Sequence, residues 1–236
     1  STFMLKEIIQ LLLRRNKVAI YLDGIFNLSG FITHKLEKIQ CDDIKGNTIF
    51  ETKSSLVLEL ENGNILKCLK IRHWTEYHKL FFGKNRAKDE VSSNYKMHEI
   101  GLAVPEIVYN GIFSDVLSKR KFSSFYCMQA IPLSFSPGNE SYSTLKQQAK
   151  DIFFQKLILD IRKLKDNNLV YSDLSLRNIL INNGGEYYWI DTQVKKYFRH
   201  SSFKNKFNHT LTRFIHDYAI EFNSKEKDRL FSLLIV

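Results

Sequence analysis

The sequence has few of the residues that interrupt regular structure or build covalent frameworks. Its 236 residues include only 10 Gly, 3 Pro and 3 Cys. Cys41, Cys68 and Cys127 form neither a C-x-x-C pair nor a metal-binding spacing, which favours a reducing compartment over a disulfide framework. The low Gly and Pro content, beside 18 Phe and 11 Tyr, argues against a disordered chain.

Several functional signatures are also missing. No apolar run reaches the roughly 18 residues that a membrane span needs, and no secretory signal is visible. We therefore expect a cytoplasmic protein. The sequence has no G-x-x-x-x-G-K-[ST] and no H-E-x-x-H, which excludes a P-loop and the common zinc-protease motif. Residues 3–15, "FMLKEIIQLLLRR", predict a helix that packs on the first lobe of the protein or, as the weaker alternative, docks on an anionic membrane.

Positive charge is concentrated in one part of the chain. The formal net charge is +10, which favours an anionic partner. Residues 194–216, called the basic segment here, contain no acidic residue and six cations: Lys195, Lys196, Arg199, Lys204, Lys206 and Arg213. Aromatic residues lie between these cations, so the segment is predicted to face an anion. Nucleic acid is not expected, because no recognisable nucleic-acid-binding module surrounds the segment.

The hydrophobic patterns predict an α+β protein with two lobes. Strands are predicted between residues 18 and 72, with a hairpin at Asn62-Gly63-Asn64. A helix over 85–100 and two further strands complete a mostly β N-lobe, residues 1–131. The C-lobe, residues 132–236, begins with a long amphipathic helix over about 144–166 and is small and mostly helical.

The stretch "VYSDLSLRNILINNGGEYYWIDTQ", residues 170–193, carries the chemistry. It predicts a loop with Asp173 and Asn178, a short strand, a turn, and a return strand that ends at Asp191. One carboxylate can take the proton of an acceptor hydroxyl, while an Asn and a second carboxylate hold magnesium against nucleotide phosphates. The pattern D-L-x-x-x-N-I-L, followed by Asp after a hairpin, is typical of the protein-kinase-like fold.

Such a fold needs a strand lysine that contacts the phosphates and a helix glutamate that positions it. Lys67 and Lys70, in "ILKCLKI", are the candidates and lie on opposite faces of a strand. Lys70 is favoured, because it places the small Cys68 on the face where adenine would lie, whereas Lys67 places the bulky Ile65 there. Glu90 is the predicted partner of Lys70.

The order of these motifs resembles the bacterial lipopolysaccharide core kinases, which phosphorylate heptose or Kdo sugars and share the protein-kinase-like fold. The resemblance covers residues 56–215 and includes "GLAVPEIV" and "KNKFNHTLTRFI". It implies ATP and Mg²⁺ as cofactors, and an anionic glycolipid or sugar as acceptor. It also implies a place at the inner face of the bacterial cytoplasmic membrane.

The resemblance assigns a role to each matching residue. Asp173 is the expected catalytic base, Lys70 the phosphate ligand held by Glu90, and Asn178 and Asp191 the magnesium ligands. Backbone groups of Gln129, Ala130 and Ile131 are expected to receive adenine. The acceptor is expected to dock on three cations of the basic segment: Lys195, Lys196 and Arg199.

Departures from the protein-kinase pattern favour a small-molecule acceptor. The H-R-D triplet is replaced by Tyr171-Ser172-Asp173, and D-F-G by Asp191-Thr192-Gln193. No A-P-E follows, and no G-x-G-x-x-G precedes the strand lysine. Arg177 instead favours a protein kinase, because tyrosine kinases have an Arg at this position of the loop. It is predicted either to steady the transferred phosphoryl group or to cap the loop. A minimal effector-like protein kinase and a pseudokinase binding module are therefore the alternatives.

Overall fold

The computed structural model describes residues 37–39, 46–81, 84–113 and 122–235, which form a mixed α+β structure. The predicted helix over residues 3–15 and the strand over 18–22 lie outside the described residues. By its internal contacts the chain divides into two units. Unit 1 takes residues up to Val91 and Glu106–Ala130, and unit 2 takes Ser92–Pro105 and everything from Ile131 onward. The stretch Ser92–Pro105, placed in the N-lobe by the predicted boundary at residue 131, thus clusters with unit 2.

A six-stranded sheet forms the centre of unit 1. Its strands, in chain order, are β1 Glu37–Ile39, β2 Asn47–Glu51, β3 Ser55–Glu59, β4 Ile65–Lys70, β5 Ile107–Phe113 and β6 Phe122–Met128. The spatial order is β1-β5-β6-β4-β3-β2. Every neighbouring pair is antiparallel except β1 with β5. The predicted hairpin is confirmed: β3 and β4 pair around a turn in which Gly63 has a φ of +79°, which favours glycine.

The two faces of this sheet are different. Leu66 and Cys68 of β4 belong to an apolar cluster with Phe125 and Cys127 of β6. Lys67, between them on β4, projects to the opposite face because side chains alternate along a strand. Two helices follow β4: α1 Thr75–Phe81 and α2 Arg86–Glu99. The backbone N–H of Ala87 in α2 donates to Ser124 Oγ of β6 at 3.3 Å, so this helix covers the Lys67 face.

Unit 2 is built around the predicted amphipathic helix, which the structure confirms. Its helices are α3 Gly138–Ser141, α4 Gln147–Asp166, α5 His200–Arg213 and α6 Ser224–Leu234, with a π-helix at Phe214–Tyr218 and 3₁₀ turns at Tyr142–Thr144 and Leu176–Asn178. Its short strands are β7 Ser136–Pro137, β8 Leu169–Tyr171, β9 Ile179–Ile181, β10 Tyr187–Trp189 and β11 Val194–Lys196. β9 and β10 form the predicted hairpin, and β8 pairs with β11.

One apolar stripe of α4 holds the core of unit 2 together. Phe153, Leu157, Ile161 and Leu164 are all buried, at the helical spacing that the sequence predicted. The part of the chain that the structure describes contains no helix long and apolar enough to cross a membrane.

Candidate active site

The loop after β8 places Asp173 between two hydrogen-bond donors. The Asn178 side-chain amide donates to the Asp173 carbonyl oxygen at 2.8 Å and to its carboxylate Oδ2 at 3.1 Å. The Arg177 guanidinium donates to both carboxylate oxygens, at 3.3 and 3.2 Å. The Asp173 side chain is still 39% exposed. Its carboxylate is therefore held in one orientation and remains accessible to a ligand.

Hydrogen bonds tie the segment around Asp191 to the same loop. The Ile190 backbone N–H donates to the Asn178 carbonyl at 2.9 Å, and the Ser172 N–H donates to the Gln193 carbonyl at 3.1 Å. The Tyr171 hydroxyl donates to the carbonyls of Ile190, at 2.5 Å, and of Asp191, at 3.2 Å. The segments that carry Asp173, Asn178 and Asp191 thus meet at one end of the β9–β10 hairpin.

The backbone of Asp191 is strained. Its φ is +53°, in the left-handed region that few residues other than glycine adopt. Such conformations cost about 1–3 kcal/mol and persist where the surrounding structure holds them. Here the Tyr171 hydroxyl donates to the carbonyls of Ile190 and Asp191, which lie before and after the strained φ bond. Backbone strain of this kind clusters at functional sites, which supports a functional role for Asp191.

A buried carboxylate on α4 holds the hairpin in place. Asp160 is 1% exposed. Its Oδ2 accepts from the Tyr187 hydroxyl at 2.7 Å and from Trp189 Nε1 at 3.1 Å, while Lys163 Nζ donates to Oδ1 at 3.2 Å. Burial, together with the negative charge of Asp160, raises the pKa of Tyr187 well above its ordinary value. Sequence reasoning had missed this network, which links α4 to the strand that leads to Asp191.

Asn178 and Asp191 suit a magnesium ion better than a transition metal. The Asn178 amide nitrogen is used in hydrogen bonds to Asp173, so its oxygen is the atom left to bind a cation. Asp191 is partly exposed. Two protein oxygens are enough for magnesium, which retains several waters and takes further oxygens from phosphates. Among the described residues, no group of three or more His, Cys, Asp or Glu could hold a metal ion.

In unit 1, the structure pairs Glu90 with Lys67 instead of Lys70. Lys67 Nζ lies 3.0 Å from Glu90 Oε2, and the Tyr126 hydroxyl donates to the same oxygen at 3.0 Å. Arg86 lies 3.6 Å from the other oxygen. Glu90 is 4% exposed, so this is a buried ion pair supported by a hydrogen bond.

The predicted pairing of Lys70 with Glu90 is therefore wrong, and strand alternation gives the reason. Lys67 projects to the face that α2 covers, whereas Lys70 forms an ion pair with Glu51 and donates to the Thr52 carbonyl at 3.0 Å. The small size of Cys68 was a misleading criterion. That side chain is fully buried in the apolar cluster on the other face of the sheet.

The stretch predicted to receive adenine is only partly available. The Gln129 backbone N–H donates to the Glu106 carbonyl at 2.9 Å, and its side-chain amide donates to Glu106 Oε2 at 2.9 Å. The N–H of Gln129 is therefore already engaged within unit 1. Ala130 is exposed and Ile131 is half-buried, so the groups that remain for a nucleotide are the Gln129 carbonyl and the backbone of these two residues.

The three cations predicted to bind the acceptor are all exposed. Lys195 and Lys196 end the short strand β11, and Arg199 is the N-cap residue of α5. Lys195 Nζ lies 5.3 Å from the centre of the Tyr197 ring. These three cations are thus presented to solvent on unit 2, where an anion can reach them.

Sequence reasoning missed the role of Arg213 and Tyr218 around the loop that carries Asp173. Arg213 Nη2 donates to the carbonyl of Ser172, the residue before Asp173, at 2.8 Å. The Tyr218 ring lies 5.2 Å from the Arg213 guanidinium carbon and 5.8 Å from that of Arg177. One aromatic ring therefore contacts two arginines that hold the Asp173 loop. Because 40 or more residues separate the two sides of this contact, no local motif could have revealed it.

No model of a known protein family matches this chain, and no curated protein matches it. The resemblance to lipopolysaccharide core kinases therefore remains an expectation drawn from motifs.

Proposed function

We propose that the protein is an ATP-dependent phosphotransferase with an alcohol acceptor, in which units 1 and 2 are the two lobes of a protein-kinase-like fold. The observation that carries the proposal is the buried ion pair of Lys67 with Glu90. Burying two charges is costly, so a purely structural role would be served as well by apolar residues. A kinase, in contrast, needs a strand lysine held by a helix glutamate, and these two residues supply that pair.

The residues of unit 2 supply the other half of the proposed chemistry. Asp173 orients the acceptor hydroxyl and accepts its proton as the acceptor oxygen bonds to the γ-phosphorus of ATP. The bond from that phosphorus to the β–γ bridging oxygen breaks, and ADP leaves. Asn178 and Asp191 would hold a magnesium ion, which would neutralise charge on the phosphates. Lys67 binds the phosphates, and Arg177 holds Asp173 and steadies the transferred phosphoryl group.

The proposed acceptor is a sugar of the lipopolysaccharide inner core. This proposal rests on the resemblance of the motifs and on the exposed cations Lys195, Lys196 and Arg199, which would attract an anionic glycolipid. A minimal protein kinase is the second candidate, favoured by one contact. Arg177 donates to both carboxylate oxygens of Asp173, and its place in the loop is that of the arginine in tyrosine kinases.

Magnesium-dependent nucleotide binding tests the proposal at the level of the site. Calorimetric titration of ATP, with and without Mg²⁺, is expected to show tighter binding to the wild type when Mg²⁺ is present. Asp191→Ala removes a proposed ligand and should abolish the Mg²⁺ dependence. Asp228→Ala is the matched control, because Asp228 is an exposed acid on α6 outside the proposed site, and it should behave like the wild type.

A nucleotide affinity that changes neither with Mg²⁺ nor on substitution of Asp191 would contradict the assignment of Asp191 as a magnesium ligand. Normal Mg²⁺-dependent binding without phosphate transfer to any lipopolysaccharide, sugar or protein acceptor would instead identify a pseudokinase.

A further inference from the structure

Phe198 is an exposed aromatic residue in the middle of the basic segment. It is 92% exposed and lies between the end of β11 and the N-cap of α5. The aromatic residues of α5, Phe203 and Phe207, are in contrast buried in the core of unit 2. Phe198 therefore contributes almost nothing to packing within unit 2, although its neighbours on both sides, Tyr197 and Arg199, take part in a ring contact and a helix cap.

The charge of unit 2 is concentrated around this residue. Unit 2 contains 17 Lys and Arg against 12 Asp and Glu. The basic segment holds six of the 17 cations and none of the 12 acids, so the remainder of unit 2 carries 11 cations against 12 acids. The whole positive excess of unit 2 thus lies in the 23 residues that include Phe198.

Five of the six cations of the segment are exposed, and the sixth, Arg213, is held by the Ser172 carbonyl. α5 buries Phe203, Phe207 and Leu211, and this orientation leaves Lys204 and Lys206 exposed. Among the residues that the structure describes, no ion pair involves Lys195, Lys196, Arg199, Lys204 or Lys206. Their charges are therefore available to an external anion.

We infer that Phe198 and the surrounding cations form a docking surface for an anionic phospholipid bilayer. The cations contact lipid phosphates, and the Phe198 ring enters the interface between headgroups and acyl chains. An exposed apolar side chain flanked in sequence by exposed Lys and Arg is a pattern that peripheral membrane surfaces use. A nucleic-acid duplex or a soluble anion would engage the cations but would not require the phenyl ring. The inference concerns binding alone and does not depend on the proposed reaction.

Vesicle co-sedimentation tests this surface without nucleotide or acceptor. The wild type is expected to bind vesicles of phosphatidylcholine with about one third phosphatidylglycerol, and to bind pure phosphatidylcholine vesicles far more weakly. Each cation near an anionic surface strengthens partitioning on the order of fivefold. Reversal of Lys195, Lys196 and Arg199 to Glu should therefore weaken binding by roughly a hundredfold or more. Phe198→Ser should weaken binding by about tenfold.

Two control variants match these changes elsewhere on unit 2. Lys146, Arg162 and Lys225 are exposed cations outside the basic segment, so their reversal to Glu alters the net charge equally. Leu133 is 102% exposed, so Leu133→Ser removes an equally accessible apolar side chain. Both controls should keep more than half of the wild-type affinity. Affinities that fall equally in the controls and in the segment variants would overturn the inference, since net charge alone would then explain the binding.

A tryptophan in place of the phenyl ring reports insertion directly. On vesicle binding, the fluorescence of Phe198→Trp should shift to the blue and be quenched by brominated phospholipids. The background from Trp74 and Trp189 is measured with the wild type. Binding that requires the cations but shows no quenching at residue 198 would refute insertion. Tighter binding to an RNA duplex than to anionic vesicles, unaffected by Phe198→Ser, would assign the surface to nucleic acid instead.

Discussion

At the scale of single residues, the buried ion pair of Glu90 with Lys67 can be tested by substitution. Removal of Lys67 alone would break the shorter ion pair of the buried Glu90 carboxylate and leave it with Arg86 at 3.6 Å; breaking a buried ion pair typically costs about 3–5 kcal/mol of stability. The double substitution Lys67→Met and Glu90→Gln avoids this cost, because a glutamine oxygen can still accept from the Tyr126 hydroxyl. We expect the double variant to fold and to lose phosphate transfer on the order of a hundredfold or more, as for other transition-state donors.

Lys70→Met is the matched control on the same strand. Lys70 forms its ion pair with Glu51, which is largely exposed, so its loss should leave transfer within about threefold of the wild type and should cost at most about 1 kcal/mol of stability. Initial rates with labelled ATP and urea unfolding measure the two quantities. The reverse pattern, with Lys70 essential and Lys67 dispensable, would restore the assignment that the sequence favoured.

The ring of Tyr218 gives a second prediction at this scale. Because it contacts the guanidinium groups of Arg177 and Arg213, it is a positioning residue for the Asp173 loop. Tyr218→Leu should lower kcat about tenfold, since cation–π contacts contribute about 0.5–2 kcal/mol, with little change in ATP affinity. Tyr218→Phe retains the ring and should stay near the wild type. A Phe variant as impaired as the Leu variant would show that the hydroxyl, not the ring, matters.

At the scale of elements, the contact between the β9–β10 hairpin and α4 depends on a neutral tyrosine. The pKa of Tyr187 is raised in the folded state, so its contribution to stability is complete below the unfolded value near pH 10 and is lost as pH rises above it. Tyr187→Phe should cost about 1–3 kcal/mol at pH 8, because a buried hydrogen bond to Asp160 disappears. Between pH 8 and 10.5 the variant should then lose less stability than the wild type.

Urea unfolding at both pH values measures this difference. Tyr188→Phe is the control on the same strand, because Tyr188 is half-buried and its ring packs on Phe135. It should keep the pH dependence of the wild type. If the free energy of unfolding falls equally between pH 8 and 10.5 in the wild type and in Tyr187→Phe, then Tyr187 is not the source of the pH dependence.

The elements show what sequence reasoning could and could not predict. The β3–β4 hairpin, the amphipathic α4 and the β9–β10 hairpin were predictable, because local turn residues and periodic apolar side chains encode them. The choice between Lys67 and Lys70 was not. It depends on which sheet face α2 covers, and that is decided by packing between residues far apart in sequence. The contacts of Asp160 and Tyr218 were missed for the same reason.

At the scale of the whole molecule, the proposed acceptor can be tested through charge. Reversal of Lys195, Lys196 and Arg199 to Glu should raise the acceptor KM steeply for an anionic glycolipid. ATP affinity should change little, because none of the three is among the proposed nucleotide or metal ligands. The wild-type KM should also worsen with added salt, since exposed charges are screened over about 8–10 Å at physiological ionic strength.

Reversal of Lys146, Arg162 and Lys225 again provides the control for net charge, and its KM should remain near that of the wild type. Acceptor kinetics that are equal in the wild type and the basic-segment variant would count against an anionic glycolipid and would favour a neutral sugar or a protein hydroxyl.

The proposed phosphotransferase activity is tested most directly by transfer of labelled γ-phosphate from ATP to purified acceptors: core lipopolysaccharide, free sugars and proteins. We expect Mg²⁺-dependent labelling of an acceptor hydroxyl, with core lipopolysaccharide the best substrate. Asp173→Asn should keep the fold and ATP binding while transfer falls a hundredfold or more, as expected for the loss of a positioned base. Near-normal transfer by Asp173→Asn would contradict the role of Asp173 as the base. No labelling of any acceptor by a wild type that binds ATP would contradict the proposed phosphotransferase activity.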